Sequence, residues 1–508
     1  MLTKVYSASL QGLAAHPIEV QVDVSAGFPS FTIVGLPDAS IQESRERIRA
    51  AIKQYGISFP NIKVVVNLAP ADLRKEGPSY DLPITLAILA SSGNLKLPEQ
   101  SWLCVGEISL DGQVRPVNGM LAITMMAKQK GFRTIIVPND NAMEAGLVSD
   151  IKVLPVKSVM EVVRHFSDES YTISPQENCP PKPQVADTAY DFAHIKGQFH
   201  VKRALEIVAA GGHHLLMYGP PGSGKTILAK ALLSILPTMS VEEMLEITTL
   251  YSIAGLLDES ESYIKARPFR SPHHSASMAA LVGGGKLPRP GEISLAHHGV
   301  LFLDELPEFS RTVVEALRQP LEEHTVTVAR VEQSVTYPAK SIFVGSLNPC
   351  PCGYFGDGEK ECVCTPSQIS KYQKKLSGPL LDRMDLFCYV PRITFDVLTG
   401  ANAQDDSNKM RKRVQRARDI QVDRYQTKKI NCNAHITNQL IQQYCSITKL
   451  ATSLLKQAML TMQLSPRSYH RILKVSRTIA DLDEQEQIDQ LHVAEALQYR
   501  NSEAFRNA

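Results

Sequence analysis

One stretch of the sequence has the residue types and the spacing of a phosphate-binding loop. It consists of Gly219, Pro220, Pro221, Gly222, Ser223, Gly224, Lys225 and Thr226. Glycines at these positions let backbone N–H groups turn inward around phosphates, and a helix after the loop adds the positive end of its dipole. An apolar run precedes the loop and a helical pattern follows it, as the motif requires. The pattern predicts that Lys225 reaches the β- and γ-phosphates of ATP and that Thr226 binds Mg²⁺.

A pair of acidic residues is expected to complete this site. Asp304 and Glu305 follow the apolar run 300–303, which would deliver both carboxylates to the edge of a sheet beside the phosphate loop. There Asp304 would hold Mg²⁺ through water, and Glu305 would polarise an attacking water as a general base. Asn348 ends a third apolar run, residues 341–347, and its amide could orient the same water. Asparagine is equally common as a turn residue at the end of a strand.

Four of the nine cysteines crowd into two C-x-C pairs, which are Cys350 with Cys352 and Cys362 with Cys364. A stretch rich in glycine and acid separates the pairs, so both could fold back onto one tetrahedral site for structural Zn²⁺. Reduced cysteines in a loop are the alternative, because C-x-C is a less common zinc spacing than C-x-x-C. The adjacent histidines at 273–274 and 297–298 point in different directions, and we do not assign them to a metal.

The elements that must position these residues fall into regions of different periodicity. Residues 1–167 alternate short strands and helices, with strands expected at 18–24, 30–34, 63–67, 102–107 and 134–138 and helices at 38–55, 81–91 and 121–131. Residues 168–189 are polar and proline-rich, which is typical of a linker. A second α/β pattern covers residues 190–392, and residues 393–508 are helical in their periodicity. The expected fold class is α/β with a helical C-terminal domain.

Composition sets limits on location and partners. The chain has 508 residues with 44% hydrophobic content, enough for several cores, and its nine cysteines are too few for a disulfide scaffold. It shows neither an apolar signal core at the start nor an apolar run near the roughly 20 residues that span a bilayer. We therefore expect a cytoplasmic protein without membrane contact. The formal net charge of +2 means that any nucleic-acid surface must come from local patches.

Three basic segments are candidates for such patches. The insertion 267–289 carries arginines, histidines and a glycine run before Lys286, and a hairpin expected at 325–328 and 334–337 brings Arg330 and Lys340. Basic loops of this kind would grip phosphates without reading bases, so that binding would be sensitive to salt and tolerant of sequence. The third segment, residues 409–424, has seven basic and two acidic residues at helical spacing. A basic helix is as often a solvated face, so the loops are the better candidates.

Together these motifs resemble the AAA+ class, and more closely the ComM/YifB branch of magnesium-chelatase-like ATPases. The most specific stretches are residues 267–275, 291–299 and 348–353. The resemblance implies a central AAA+ domain, a helical lid and a homohexameric ring that couples ATP hydrolysis to branch migration of DNA in natural transformation. The implied partners are single-stranded and branched DNA, bound without sequence preference, and recombinase proteins. A chelatase-type motor that remodels a protein partner is the alternative.

The same resemblance assigns two arginines. Arg383, in the segment 378–383, matches the family's arginine finger, which reaches into the neighbouring subunit's site. A finger in trans stabilises the transferring phosphoryl group and is worth about 10³ to 10⁵ in rate. Arg467 follows Ser465 at the start of a lid helix and matches the second sensor, which is expected to contact the γ-phosphate within its own subunit.

The N-terminal region resembles the Lon protease domain, with its S5-like α+β fold, over residues 75–81 and 106–138. Ser79 lies where the nucleophile would be. In Lon the base is a lysine just after the segment that matches residues 116–119, and here that position is Leu121, which cannot take a proton. We therefore predict no peptidase activity and expect Ser79 to be a helix cap. An ATP-dependent protease is the rival that this leucine disfavours.

Overall fold

The computed structural model describes residues 2–99, 101–184, 189–258, 261–285, 288–329, 334–393, 395, 397, 406–426 and 430–500. Two compact units make up the chain. The N-terminal unit contains residues 1–182 and 241–264, and the phosphate-loop unit contains residues 183–240 and 265–508. Among the described residues, no helix combines the length and the apolar character that a bilayer crossing would need.

The N-terminal unit is built on a four-stranded sheet in the order β1-β2-β4-β3, in which only β3 and β4 run parallel. A parallel sheet in the order β5-β8-β9 and a small β6-β7 pair follow it along the chain. The strands are β1 (Leu2–Gln11), β2 (Ala14–Ser25), β3 (Ser30–Val34), β4 (Lys63–Ala69), β5 (Trp102–Cys104), β6 (Glu107–Ile108), β7 (Val114–Arg115), β8 (Thr134–Pro138) and β9 (Lys152–Val156).

The first five helices of this unit are α1 (Ala39–Gln54), α2 (Asp81–Ser91), α3 (Met120–Gln129), α4 (Ala142–Ala145) and α5 (Val159–Ser167). Helix α2 is buried along most of its length because it is apolar on all sides and lies in the core. Asp81 at its start is buried and pairs with Arg47, with 2.7 Å between Nε and Oδ2.

Ser79 does not cap this helix, so the expected cap is wrong. It lies in a 3₁₀ turn, Pro78–Tyr80, that runs directly into α2, and neither element has a side-chain cap. The N–H of Leu82 donates instead to the carbonyl of Gly106 at 3.0 Å. A backbone oxygen from another strand connection therefore takes the place of the expected hydroxyl.

The phosphate-loop unit is built on five parallel strands in the order β11-β14-β17-β10-β18. The central strands are buried on both faces, which explains why they are continuous apolar runs in the sequence. The strands of this unit are β10 (Leu215–Tyr218), β11 (Phe269–Arg270), β12 (Gly283–Gly284), β13 (Arg289–Pro290), β14 (Val300–Leu303), β15 (Thr325–Ala329), β16 (Ser334–Pro338), β17 (Ile342–Leu347) and β18 (Leu386–Tyr389).

Helices cover this sheet and form the C-terminal part of the unit. They are α6 (Phe199–Gly211), α7 (Lys225–Ala231), α9 (Met278–Val282), α10 (Glu292–Leu295), α11 (Arg311–Ala316), α12 (Pro320–Glu323), α13 (Pro366–Gln373), α14 (Gly378–Leu381), α15 (Ser407–Tyr425), α16 (Asn438–Tyr444), α17 (Lys449–Thr461), α18 (Pro466–Leu482) and α19 (Gln490–Gln498). Helix α8 (Val241–Ala254) belongs to the N-terminal unit, although it follows α7 along the chain. The predicted α/β class and the helical C-terminal part are confirmed.

Candidate nucleotide site

The phosphate loop joins the carboxyl end of β10 to α7. Gly222 and Gly224 have φ angles of 77° and 90°, a backbone region that glycine adopts without steric cost. A Cβ atom at either glycine would meet no atom within 4 Å, so the loop borders open space. Helix α7 begins at Lys225, directly after the loop. A loop of this kind at a helix N-terminus can hold phosphates through its N–H groups.

Lys225 lies inside this loop and is bonded to it. Its ammonium donates to the carbonyls of Gly219 and Pro220 at 2.8 and 2.9 Å and to Oδ1 of Asn348 at 3.2 Å. Burial lowers the pKa of Lys225 to about 8, although the charges of Asp304 and Glu305 act in the opposite direction. Lys225 is therefore a partly desolvated cation. A bound phosphate could replace the two carbonyls as the acceptor of its hydrogen bonds.

Thr226 and Asp304 meet across the loop as the sequence predicted. The threonine hydroxyl donates to Oδ2 of Asp304 at 2.7 Å. Ser346 on β17 donates to the other oxygen, Oδ1, of the same carboxylate. The sequence analysis missed Ser346, but its position carried a signal: it stands two residues before Asn348, so that both side chains share one face of the strand.

Glu305 is exposed and has an unusual backbone. Its φ angle is 50°, which costs a non-glycine residue about 1 to 2 kcal/mol. The N–H of Glu305 donates to Oδ1 of Asp304 at 3.1 Å and to the hydroxyl of Ser346 at 3.3 Å, and these bonds hold the strained residue in place. Strain of this kind is typical of functional positions. The carboxylate of Glu305 stands free to act on a ligand at the edge of the sheet.

The four cysteines come together directly after Asn348. Their sulfur atoms all lie within 4.8 Å of one another. The sulfur of Cys350 is 3.3 Å from that of Cys352 and 3.6 Å from that of Cys362. Sulfur atoms around a tetrahedral zinc ion would be roughly 3.8 Å apart, given zinc–sulfur bonds of about 2.3 Å. The spacing of the thiols therefore fits Zn²⁺.

The cysteine loop also contacts the phosphate loop. A Cβ atom at Gly353 would lie 2.6 Å from Cδ of Pro221, so only glycine fits at this position. The N–H of Gly353 donates to the carbonyl of Cys350 at 3.0 Å. Changes in the fold of the cysteine loop would therefore reach the phosphate loop by direct contact.

The structure places Arg383 and Arg467 on one shared carboxylate. Both guanidinium groups bond to Glu322 on α12, each through its Nη2 atom. Arg383 also donates to the carbonyls of Arg318 and Pro379 at 2.9 and 2.7 Å. Partial burial raises the pKa of Glu322, but the bonds and charges of the two arginines hold it below its usual value. Sequence reasoning missed Glu322, and nothing in its neighbourhood along the chain pointed to it.

This arginine pair lies at the amino edge of the parallel sheet. The backbone carbonyl of His214, just before β10, accepts from the N–H of Asp385, and Arg471 on α18 bonds both to Asp385 and to the carbonyl of Arg383. The Nε2 atom of His214 is 3.4 Å from the carbonyl oxygen of Leu321, the residue before Glu322. These contacts fix both arginines beside the start of β10.

The phosphate loop lies at the opposite end of the same strand. In this structure Arg467 is bonded to Glu322, near the start of β10, whereas the phosphate loop follows the end of that strand, which is about 13 Å long. The expected contact of Arg467 with the γ-phosphate within its own subunit stays a prediction.

The basic segments differ in how many of their charged side chains are exposed and how many are paired within the unit. In the insertion, Arg267 donates to the carbonyl of Pro237 at 2.8 Å and Arg270 pairs with Glu292 at 2.6 Å, whereas Arg289 is exposed. Lys286 and Arg330 lie outside the described residues. The insertion and the β15–β16 hairpin pack on each other, because the hydroxyl of Tyr337 donates to the carbonyl of Pro288 at 2.6 Å.

The basic helix α15 uses much of its charge within the unit. Arg413 pairs with Glu206 at 2.5 Å, and Arg424 pairs with the buried Asp481. Arg418 donates to the carbonyls of Ala209 and Ala210 at 3.0 and 3.1 Å. These side chains hold α15 against neighbouring helices and are not available to DNA.

A phosphate loop, an acidic strand end and a strand-end asparagine on one edge of a five-stranded parallel sheet define the class of the phosphate-loop unit, which is that of the AAA+ ATPases. Family models described as "Magnesium chelatase, subunit ChlI", "Subunit ChlI of Mg-chelatase" and "Magnesium chelatase, subunit ChlI C-terminal" match residues 191–398, 20–141 and 404–500, respectively.

Similar proteins extend this likeness over nearly the whole chain. Competence protein ComM of Haemophilus influenzae is 41% identical over 98% of this chain and 97% of its own length. YifB of Escherichia coli is 41% identical with the same two shares, 98% and 97%. Lon protease of Metamycoplasma arthritidis is 29% identical over 23% of this chain and 15% of the protease. The chain belongs to the ComM/YifB group of the magnesium chelatase family, which implies ATP and Mg²⁺ as ligands.

The lowered pKa of Lys225 predicts how ATP affinity depends on pH. Only the ammonium form attracts phosphate, and bound phosphate raises its pKa, so binding is favoured below pH 8 and weakens above it. In a Glu305→Gln background that prevents turnover, the Kd for ATP should be flat from pH 6.8 to about 7.5 and should then rise about tenfold per pH unit above about 8. Isothermal titration calorimetry measures this profile.

The matched control is Lys225→Arg in the same background. A guanidinium stays charged over this pH range, so its affinity for ATP should be lower but independent of pH. A flat profile in the chain that keeps Lys225 would contradict the assignment of this lysine to the phosphates.

Proposed function

We propose that the chain is an ATP-driven hexameric DNA motor that moves branched recombination intermediates. Its ATPase chemistry follows from the site residues. Lys225 and the loop residues 219–224 bind the phosphates, and Thr226 and Asp304 hold Mg²⁺, which neutralises developing charge when bound. Glu305 takes a proton from the attacking water, and Asn348 orients that water.

The proposed ring rests on one observation: the phosphate loop and the two arginines lie at opposite edges of one sheet. The phosphate loop is at the carboxyl edge, whereas Arg383 and Arg467 are bonded to Glu322 at the amino edge. A head-to-tail arrangement of subunits would bring the arginines of one chain to the nucleotide of the next, and such contacts close into rings. Both arginines then act in trans.

The action on DNA is supported by the similarity to a competence protein over nearly the whole chain. The insertion and the β15–β16 hairpin, which pack on each other, offer the surface, with Arg289 and Lys340 exposed. Helix α15 is a weaker candidate because Arg413, Arg418 and Arg424 are bonded within the unit. A chelatase-type motor that remodels a protein is the outcome to which a failure of DNA binding would point.

The N-terminal unit is proposed to have no peptidase activity. By the resemblance, Leu121 occupies the position of the Lon base, and its N–H is bonded to the buried carboxylate of Glu144 at 2.7 Å. Lys128, farther along α3, is exposed and pairs with Asp150 at 3.0 Å. The leucine side chain has no group that could take a proton from Ser79, and Glu144 is already bonded to Ser252 and to the N–H of Leu121.

The four thiols are proposed to bind one structural Zn²⁺. Their mutual distances support this, and so does the N–H of Phe355, which donates to the sulfur of Cys350 at 3.4 Å, as backbone amides do to the thiolates that bind a metal. Because Gly353 contacts Pro221, the metal would stabilise the phosphate loop as well as the cysteine loop.

The motor is tested on labelled three-stranded and four-way junctions with ATP and Mg²⁺. The intact chain should form rings, hydrolyse ATP and resolve the junctions. Glu305→Gln should bind ATP and DNA but lose hydrolysis and branch migration by about 10² to 10⁴-fold, because the general base is gone. Lys225→Ala should lose ATP binding and, with it, both activities.

A matched control variant is available for Glu305→Gln and another for Lys225→Ala. Glu308→Gln changes an exposed acid that pairs with Lys375, and Lys230→Ala changes a half-buried lysine of α7 that bonds to Tyr190. Both should keep the activity of the intact chain. If the chain forms rings that hydrolyse ATP but neither bind nor resolve junctions, the DNA-motor hypothesis is wrong. The hypothesis of a chelatase-type motor would then remain.

Mixed rings test whether the arginines act across subunits. Neither Arg383→Ala nor Glu305→Gln should hydrolyse ATP alone, but an equal mixture should recover up to about a quarter of the intact rate. This is the share of sites at which an intact Glu305 meets an intact Arg383 of its neighbour. The mixture of Arg467→Ala with Glu305→Gln should recover in the same way, since both arginines share Glu322.

A mixture of Lys225→Ala with Glu305→Gln is the control, because both residues belong to one site and no intact site can form. Recovery with Arg383→Ala but none with Arg467→Ala would show that Arg467 serves its own subunit. The proposed trans role of that arginine would then be incorrect.

Zinc is tested by metal analysis of the purified chain and of the double variant Cys362→Ser with Cys364→Ser. The intact chain should hold about one zinc per chain, and the double variant should hold none and hydrolyse ATP several-fold more slowly, because the phosphate loop loses its support. The control Cys179→Ser changes an exposed cysteine and should behave as the intact chain does. Less than about half an equivalent of zinc would rule out the four-thiolate site.

A further inference from the structure

A segment that interrupts the phosphate-loop unit along the chain belongs to the N-terminal unit by its contacts. It comprises helix α8 and the residues that follow, 241–264, and is called the arm. The residues on either side of the arm, up to 240 and from 265, belong to the phosphate-loop unit. The N-terminal unit is thus joined to its neighbour by three crossings of the chain, at 182–183, 240–241 and 264–265.

The arm is anchored at the start of α3. This helix has Gly119 at its N-cap, so it cannot supply a capping side chain of its own. The hydroxyl of Ser252, on α8, accepts from the N–H of Gly119 at 2.9 Å and donates to Oε1 of Glu144. The same oxygen of Glu144 accepts from the N–H of Leu121 at 2.7 Å. The arm therefore provides half of the cap on α3.

This anchor is buried and fully bonded. Glu144 is 6% exposed, and burial raises its pKa, while Ser252, the N–H of Leu121 and Asn141 act in the opposite direction. Loss of one partner would leave a desolvated acceptor or donor behind, which is costly. The Ser252 contact is thus specific, and a polar contact of this kind fixes the position of a helix that apolar packing alone would leave free to slide.

Close packing extends the contact at the end of α8 and just beyond it. A Cβ atom at Gly119 would lie 3.3 Å from Cγ1 of Ile253, and one at Gly255 would lie 3.1 Å from Nδ2 of Asn118. The arm closes on itself, because the N–H of Ile264 donates to the hydroxyl of Thr248 at 3.1 Å. The buried residues of α8 are Glu243, Met244, Ile247, Thr248, Leu250, Tyr251 and Ser252.

The two ends of the arm are tied together within the phosphate-loop unit. Arg267, just after the arm, donates to the carbonyls of Pro237 and Thr238, just before it, at 2.8 and 3.3 Å. The same guanidinium donates to the carbonyl of His298 at 2.7 Å. The chain therefore leaves and re-enters this unit at one place, where Arg267 is bonded to residues 237 and 238. This closed neck lies a few residues after helix α7, which follows the phosphate loop.

We propose that the surface formed by Gly119, Leu121 and Glu144 is a docking site for the arm, in the place where Lon-type proteases keep their catalytic lysine. Ser252 of the arm bonds there to Gly119 and Glu144. The docked arm, with its closed neck, makes the N-terminal unit respond to the nucleotide. The docking stands on contacts alone, whereas its response to ATP rests on the proposed nucleotide site.

Hydrogen exchange in the full-length chain tests the docking. Ser252→Ala removes only the hydroxyl, and the amides of residues 119–123 should exchange about 5- to 100-fold faster than in the intact chain. Thr249→Ala is the matched control, because the hydroxyl of Thr249 bonds only to the carbonyl of Leu245 in its own helix. Equal exchange at 119–123 in Ser252→Ala and Thr249→Ala would overturn the docking site.

A second variant, Ser252→Arg, places a charged side chain in the buried contact. The amides of both 119–123 and 241–254 should lose protection, while those of 225–235 keep it, which shows that the phosphate-loop unit is still folded. Calorimetry should then show an early transition of the N-terminal unit that the intact chain lacks. Unchanged protection and an unchanged thermogram would overturn the proposal.

The response to nucleotide is tested in the Glu305→Gln background, with and without ATP. ATP should slow exchange at residues 225–235, which reports binding, and should change exchange at 119–123 by at least about twofold. The change at 119–123 should vanish in Ser252→Arg, whereas that at 225–235 should persist. Binding at 225–235 without any response at 119–123 in the parent chain refutes the coupling, and no effect at 225–235 refutes the nucleotide site instead.

Discussion

The parallel direction of five strands is the constraint on which the phosphate-loop unit depends. Parallel strands present all their carboxyl ends at one edge, so Gly219, Asp304 and Asn348 arrive together although the chain separates them widely. The same rule sends the residues that precede β18, Arg383 among them, to the other edge. One sheet direction thus places the phosphate loop at one edge and the arginine pair at the other.

At each edge of the sheet, one carboxylate accepts hydrogen bonds from the candidate functional groups. Asp304 accepts from Thr226, Ser346 and the N–H of Glu305, so that its charge is spread over three donors when no cation is near. Glu322 does the same for Arg383 and Arg467 at the other edge. Each carboxylate keeps its partners ordered by bonds that a ligand of the right charge could replace: Mg²⁺ for the donors around Asp304, and a phosphate for the carboxylate of Glu322.

Local patterns in the sequence predicted those parts of the fold that depend on local physics. The bounds of α2 and β14 follow from apolar runs that are buried on all sides, and the sequence analysis gave both ranges correctly. It missed β1 because its residues mix polar and apolar types without a clear turn. The expected strand 102–107 is two strands, β5 and β6, that join different sheets.

The candidate site divides in the same way. Lys225, Thr226, Asp304, Glu305 and Asn348 were found because each belongs to a motif with its own strand or helix. Ser346 and Glu322 act through partners far away in the sequence, and only strand register and helix packing bring them into place. The bond of Arg467 to Glu322 could not be predicted for the same reason, and the expected role of Arg467 within its own subunit stays a prediction. A resemblance can transfer the identity of a residue, but its partners in the fold depend on strand register and helix packing.

Leu121 stands at the position where the resemblance to Lon predicts a catalytic lysine, and the start of its helix has its own set of polar contacts. An empty dyad site would leave a helix start without a cap and a buried carboxylate without partners, which folded proteins rarely tolerate. Here Ser252 fills that place, and Glu144 bonds both to Ser252 and to the backbone of Leu121. The hydroxyl and the carboxylate satisfy each other and, through the N–H groups of Gly119 and Leu121, the start of the helix.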